Sequence, residues 1–318
     1  MRAIAVCADP GPVAEAGRAG PRQLVGVGHV AIDHLFSTQA APAAGLKTAA
    51  QRYRRGVGGM TCNALVAAAR LGARARLLAP VGDDEAAALF ADHLAREGVD
   101  ASGLRRVAGA SSSVSAVIVD ASGERTVVNH RGDALAKAPP LDPAALAGAD
   151  ALLADPRCVH WAEAALAQAR RLGIVSVLDA DSAPRDDLQR LVGLAGWAVF
   201  STPGLRAWHG AADAGGLAAA LAAGAEVAVL TQGGRGLLWQ RRGQAVQALP
   251  AFAVTAVDTL GAGDVFHGAL ALALAEGQAD ARALRFAAAA AALKCGRPDG
   301  VLGAPRRAEL DRFLQQTG

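Results

Sequence analysis

Residues 257–268 read Val-Asp-Thr-Leu-Gly-Ala-Gly-Asp-Val-Phe-His-Gly and combine two things that transfer of an anionic group needs. Small residues at Gly261, Ala262 and Gly263 let the backbone approach a ligand closely. The sequence then takes a helical pattern, and the first N–H groups of a helix have no internal partner. With the helix dipole they form a hole for charge developing on a transferring phosphoryl group. Asp264 stands at the helix start, where a carboxylate could accept a hydroxyl proton as the oxygen attacks. A plain glycine turn followed by a first-turn acid has the same short form, so Gly-x-Gly-Asp by itself decides nothing.

Four further segments carry residues of the right types. Gly58-Gly59 precedes Asn63 and an Ala-rich run to Leu71-Gly72. The glycines admit a polyhydroxyl ligand, and the Asn63 amide offers both a donor and an acceptor, although it could equally cap a helix. Gly28 is followed five residues later by Asp33, whose carboxylate can accept hydrogen bonds from neighbouring hydroxyls. Thr231-Gln232-Gly233-Gly234-Arg235-Gly236 follows an apolar run and suits a phosphate- or ribose-facing turn, or an ordinary hairpin turn. Lys294-Cys295-Gly296 closes an Ala-rich stretch, where a basic residue also complements the helix dipole. Val25-Gly26-Val27-Gly28 is not a dinucleotide fingerprint, because Ala31 stands where the third glycine belongs.

The string Asp258-Thr259-Leu260-Gly261-Ala262-Gly263-Asp264 resembles, residue for residue, the C-terminal signature of the ribokinase-like (PfkB-type) carbohydrate kinases. Gly58-Gly59, Asn63 and Leu71-Gly72 resemble the N-terminal signature, with Leu65 where a small residue is usual. The resemblance covers about residues 23–305. It implies a three-layer α/β sandwich with a central, mostly parallel sheet and a small β lid. It further implies ATP-dependent phosphorylation of a sugar hydroxyl, with Asp264 as base and the Gly261–Asp264 amides as anion hole. Asp33, Gly58, Gly59 and Asn63 would hold the acceptor. Thr231, Gly233, Gly236, Asp258 and Cys295 would border the nucleotide. Relatives also suggest a monovalent cation beside residues 291–300 and a homodimer through the lid.

One expected element is altered. Many relatives carry Asn-x-x-Glu near the metal and phosphate, whereas this chain has Ser201 and Gly204. No protein metal ligand is therefore expected, and Mg²⁺ would be held by ATP oxygens and water. The segments Phe200–Gly204, Asp155-x-Arg157, Leu178–Asp181 and Leu293–Cys295 resemble the sulfofructose kinase branch. Lys47, Asn129, Arg131 and Arg157 are candidate lid or rim residues. Convergence of Lys47, Asn129 and Arg157 would suit a sulfonate or phosphate, which makes 6-deoxy-6-sulfofructose the leading acceptor. A neutral ketose, a nucleoside and a non-catalytic sugar-binding regulator are the alternatives. A nucleoside would want an aromatic face, which the first 130 residues scarcely offer, and the intact Asp258–Asp264 string speaks against a regulator.

These groups need a scaffold. Apolar runs at 150–154, 174–178, 196–200 and 226–230 alternate with helical stretches, the rhythm of βα units on a parallel sheet. Gln23–Gly28 and 75–81 read as further strands, and 85–97 as a helix. The alternation at 252–257 predicts a strand leading into the glycine turn. Helices are expected from there to about 276 and over 280–294. Val, Ile and Thr around Ala121-Ser122-Gly123-Glu124 predict a hairpin. With the mixed segment 33–57, the segment 111–131 is expected to form the lid of one large domain, residues 23–318. Residues 1–22 read as a loose extension.

Composition narrows the classes. A hydrophobic share of 52% and a charged share of 19% fit a folded core and exclude a disordered chain. A net charge of +3, spread along the sequence, gives no footprint for nucleic acid or a membrane surface. The cysteines, Cys7, Cys62, Cys158 and Cys295, are far apart and include no CxxC pair, so reduced thiols in a cytoplasmic protein are expected.

Overall fold

Fourteen strands among the described residues divide between two sheets. The computed structural model describes residues 5–6, 20–121, 125–132 and 134–317. The strands are β1 (Ala5–Val6), β2 (Gln23–Val27), β3 (Ala31–Ser37), β4 (Arg52–Gly58), β5 (Arg74–Gly82), β6 (Val99–Val107), β7 (Ser113–Val119), β8 (Arg125–His130), β9 (Ala151–Ala154), β10 (Val175–Ala180), β11 (Trp197–Ser201), β12 (Val227–Thr231), β13 (Leu237–Arg241) and β14 (Gln247–Leu249). The helices are α1 (Met60–Arg70), α2 (Ala86–Arg96), α3 (Val159–Leu172), α4 (Arg185–Val192), α5 (Thr202–His209), α6 (Ala214–Ala223), α7 (Ala262–Ala275), α8 (Asp280–Cys295) and α9 (Arg307–Gln316).

The large sheet has the order β1-β14-β13-β12-β11-β10-β9-β2-β5-β6. Its strands run parallel except at the β12-β13-β14 meander. Side chains of a strand alternate between faces, and here the alternation feeds two cores. Ala151 and Leu153 pack beneath α1, α2, α7, α8 and α9, while Leu152 and Ala154 pack beneath α3 to α6. This is the three-layer α/β sandwich that the resemblance implies. The small sheet, β4-β3-β7-β8, stands over one end of the large one; β3 and β7 are parallel and its other pairs antiparallel.

Alanine content explains how closely the helices sit. Ala269, Ala271, Ala283, Ala287 and Ala290 are all fully buried along α7 and α8. Where α7 crosses α1 no side chain fits at all: a Cβ on Gly268 would lie 2.0 Å from the Ala64 carbonyl oxygen. Gly268 therefore sets the distance between the helix carrying Asn63 and the helix carrying Asp264.

Residues 252–257 do not form the expected strand. Residues 253–257 are exposed and pair with no other strand. The alternating apolar residues there follow Pro250, beyond the end of β14, and reach no sheet edge. The meander β13-β14 and the strand β6 carried no clear sequence signal. Within the segment 1–22, residues 1–4 and 7–19, with Cys7, lie outside the described residues, as do Ser122, Gly123 and Glu124. Ala5 and Val6 pair with Gln247 and Ala248. No helix among the described residues is long and apolar enough to cross a membrane.

Candidate active site

Helix α7 begins at Ala262 behind Gly261, whose backbone takes φ 79°. The Val265 amide reaches back to the Gly261 carbonyl at 2.9 Å, and the Ala262 amide to that of Thr259 at 3.3 Å. Among the described residues, the amides of Gly263 and Asp264 find no acceptor. Of the amides expected to form an anion hole, Ala262 turns its N–H into the loop, and only those of Gly263 and Asp264 are left open among the described residues.

The Asp264 carboxylate lies beside this opening. The Asn63 side-chain amide, on α1, donates to its Oδ2 at 2.7 Å. Burial raises the Asp264 pKa to about 7, and the neighbouring carboxylates of Asp179 and Asp181 add to the effect, against the Asn63 bond and His267. A carboxylate poised there can hold or release a proton near neutral pH. His267, one turn on, donates from Nδ1 to the Gly263 carbonyl at 2.7 Å and stands 3.4 Å from the buried Asp179. No sequence signal marked His267, since it looks like an ordinary helix residue.

The residues expected to hold an acceptor come from the lid and α1. Asp33 on β3, Gly58 on β4, Asn63 and Gly261 line one cavity of about 390 Å³. A Cβ on Gly58 would fall 1.9 Å from Asp33 Oδ2, so only glycine leaves the carboxylate its place. Burial raises the Asp33 pKa, partly offset by a hydrogen bond with Ser115. The Asn63 Oδ1 atom is buried without a partner among the described residues, an acceptor available to a ligand hydroxyl. Gly59 packs against the His29 carbonyl and precedes α1.

A second cavity, of about 370 Å³, opens on the other side of the Gly28–Val30 loop, and Arg131, Arg157, Arg190, His29 and His160 face it. Arg190 is paired with Glu163. Among the described residues neither Arg131 nor Arg157 has a carboxylate within ion-pair distance. Burial and the charge of Arg157 hold the Arg131 guanidinium below its ordinary pKa, against the charges of Asp187, which also lines this cavity, and Asp155. Burial lowers His29 to about 4, with Arg157 and Arg131 adding to the effect against Asp155, so its ring is neutral. His29 Nε2 meets Ser113 Oγ at 2.8 Å, and Asn129 donates to Ser113 and Ser115. These contacts form a polar chain between the two cavities. Asp155, fully buried, accepts from the amides of His29, Thr61 and Arg157 and from the Thr61 hydroxyl. It fixes the loop, α1 and Arg157 to one point.

Lys47 does not join this group. It is exposed in the loop between β3 and β4, beyond the Ser37↔Arg52 end of that pair, whereas Asp33 and Gly58 lie toward the opposite end. The set Lys47, Asn129 and Arg157 expected from sequence is therefore not assembled; the cation that shares a cavity with Arg157 is Arg131.

Among the residues expected to border a nucleotide, β10, β11 and β12 end side by side, with Ser201 in register with Thr231. Ser201 caps α5, accepting from Gly204 N at 3.0 Å and bonding Asp181 Oδ1 at 2.5 Å, so its hydroxyl is engaged within the protein. Gly233 and Gly236 follow Thr231 in a tight turn with φ 58° and 88°. Among the described residues no group of three or more His, Cys, Asp or Glu is arranged to hold a metal. A third cavity of about 840 Å³ lies between β4 and residues 256–260 and includes Asp258. The Asp258 carboxylate is turned into the protein: it accepts from Leu260 N and Gly300 N, each at 2.8 Å. The Cys295 carbonyl accepts from Val257 N and Asp258 N, which makes Cys295 a backbone tie. Lys294, with no exposed surface, donates to the Asp258 carbonyl at 2.5 Å and lies 3.4 Å from Asp258 Oδ2.

The model of the pfkB family carbohydrate kinases matches residues 21–307. A ribokinase from Haemophilus influenzae is 27% identical over 92% of this chain and 99% of its own. An ATP-dependent ribose-1-phosphate kinase from Halopiger xanaduensis is 29% identical over 92% of this chain and 98% of its own. A solved structure from Agrobacterium tumefaciens, assigned as a ribokinase, superposes with a TM-score of 0.89 at 34% identity, covering 94% of this chain and 99% of that one.

Proposed function

The chain belongs to the pfkB family of carbohydrate kinases, and we propose that it moves the γ-phosphoryl group of MgATP onto a sugar hydroxyl with Asp264 as base. The observation that carries this reading is the Asp264 carboxylate, raised to about pKa 7 and held by Asn63 beside two unpaired helix amides. Asp33 and the free Asn63 Oδ1 orient the acceptor. Asp264 takes the hydroxyl proton as the oxygen attacks the γ-phosphorus. The bond to the β-phosphate bridging oxygen breaks, ADP leaves, and the Gly263 and Asp264 amides receive charge on the transferring group. Mg²⁺ enters with ATP, and its chemistry is to neutralise the phosphate oxygens. The row Asp181, Ser201, Thr231 along the sheet edge supports a nucleotide path from Asp264 to the Gly233–Gly236 turn.

For the acceptor we favour an anionic ketose, with 6-deoxy-6-sulfofructose as the leading compound. Arg131 and Arg157 support it, since two guanidiniums line one cavity with no carboxylate of the described residues in ion-pair contact, only the longer-range charges of Asp187 and Asp155, and a forked cation suits a sulfonate or phosphate. The kinship with a ribose-1-phosphate kinase agrees with a charged acceptor. A neutral ketose is the alternative and leaves that pocket without a role. The exposed lid side chains Tyr53, Val127 and Val128 support a homodimer through the lid. The thiols of the buried Cys62 and Cys158, which form no disulfide, support a cytoplasmic site of action. A screen of acceptor-dependent ATP consumption over ketoses, sugar phosphates, 6-deoxy-6-sulfofructose and nucleosides tests the proposal. Fastest turnover on a sugar bearing a sulfonate or phosphate is expected. Preference for a neutral sugar refutes the acceptor reading, and no acceptor-dependent turnover with any compound refutes the kinase reading.

A further inference from the structure

Lys294 is a charged side chain with no exposed surface, and nothing in the phosphoryl transfer uses it. A buried ammonium persists only where oxygen atoms replace its water. Asp258 supplies two of them, its carbonyl at 2.5 Å and its Oδ2 at 3.4 Å. Asp258 is the hub of the loop that leads into the anion hole. Its Oδ1 accepts the Leu260 amide, its Oδ2 accepts the Gly300 amide, and its own amide bonds Cys295, next to Lys294. A bare carboxylate at Asp258 would put a negative charge beside a loop built to receive phosphates. A convergence of carbonyl and carboxylate oxygens at the base of such a loop is what a bound monovalent cation satisfies. A lysine ammonium is compact and close in size to K⁺, with three donors where an ion has coordinate bonds.

We propose that Lys294 is a built-in cation: its ammonium stands where a bound monovalent ion would otherwise tie the 256–261 loop to the 295–300 loop. It is a positioning residue, acting through Asp258 on the Gly263 and Asp264 amides. The monovalent cation expected beside residues 291–300 therefore does not fit this chain.

The test compares KCl, NH₄Cl and tetramethylammonium chloride at equal ionic strength, reading melting temperature and then turnover. The wild-type protein should melt at the same temperature in all three. Lys294→Ala, which removes the charge and leaves room for an ion, should melt lower in tetramethylammonium and recover in K⁺ or NH₄⁺. Its turnover should fall ~10²-fold in tetramethylammonium and regain at least ~10-fold with K⁺. Lys294→Met, which fills the space without charge, should show no recovery. A K⁺-selective rise in wild-type melting temperature overturns the proposal, and this arm needs no variant to fold. A folded Lys294→Ala that no cation restores also overturns it. The melting arms need no substrate, so they stand or fall separately from the kinase and acceptor readings.

Discussion

Replacing Asp264 with asparagine should remove turnover and stabilise the fold at the same time. Burial and the charges of Asp179 and Asp181 raise the carboxyl from 3.8 to about 7. At about 1.4 kcal/mol per pKa unit, the ionised form costs the folded state up to ~4 kcal/mol. The sign follows from the direction of the shift. Below about pH 4 the group is protonated both folded and unfolded, and no cost arises. As pH rises the unfolded chain ionises first, so stability falls until the folded carboxyl also ionises near 7, and the loss is complete above that. Asp264→Asn carries no charge and keeps an oxygen for the Asn63 amide. Its advantage over wild type should therefore grow by ~2–3 kcal/mol between pH 5 and pH 8. Denaturant titrations of both proteins at the two pH values measure this, and ATP consumption with an active acceptor measures the loss of turnover, expected to be ~10³-fold or more. An advantage that is the same at both pH values would refute the electrostatic account of the site. Near-normal turnover in the variant would refute the role of base.

Four further outcomes are expected. In the wild type, kcat/KM should rise with pH through about 7 and then level off, because only the ionised Asp264 accepts a proton; a profile flat from pH 5.5 to 8.5 would contradict this. Gly268→Ala puts a methyl 2.0 Å from the Ala64 carbonyl oxygen and forces α7 off α1. It should cost ~1–3 kcal/mol in a denaturant titration and lower kcat on the order of 100-fold through the displaced Asn63–Asp264 pair. Arg157→Ala should raise KM for an anionic acceptor ~10- to 100-fold while leaving KM for ATP and for neutral ketoses unchanged. Lys47→Ala should leave all three constants unchanged, since Lys47 is exposed and lines neither of the first two cavities.

Local sequence determined the chemistry of each piece. The Gly-Ala-Gly-Asp run, the paired glycines before Asn63 and the alternating apolar strands are legible because a turn, a helix start and a strand face depend on neighbours a few residues apart. The sequence also named Arg131 and Arg157, but it grouped Arg157 with Lys47, since spacing along a chain does not say which cationic side chains share a pocket. Tertiary structure made that choice, as it did wherever contacts join distant residues. Asn63 and Asp264 are 201 positions apart, and Asp155 gathers His29 and Thr61 across 126 and 94 positions. Nothing local shows that the Ala262 amide turns into its loop, that 252–257 pairs with no strand, or that Lys294 is buried against Asp258. Residue type fixes what a side chain can donate, accept or neutralise; only the packing of α1, α7, α8 and the lid around one cleft decides which of those capacities meet.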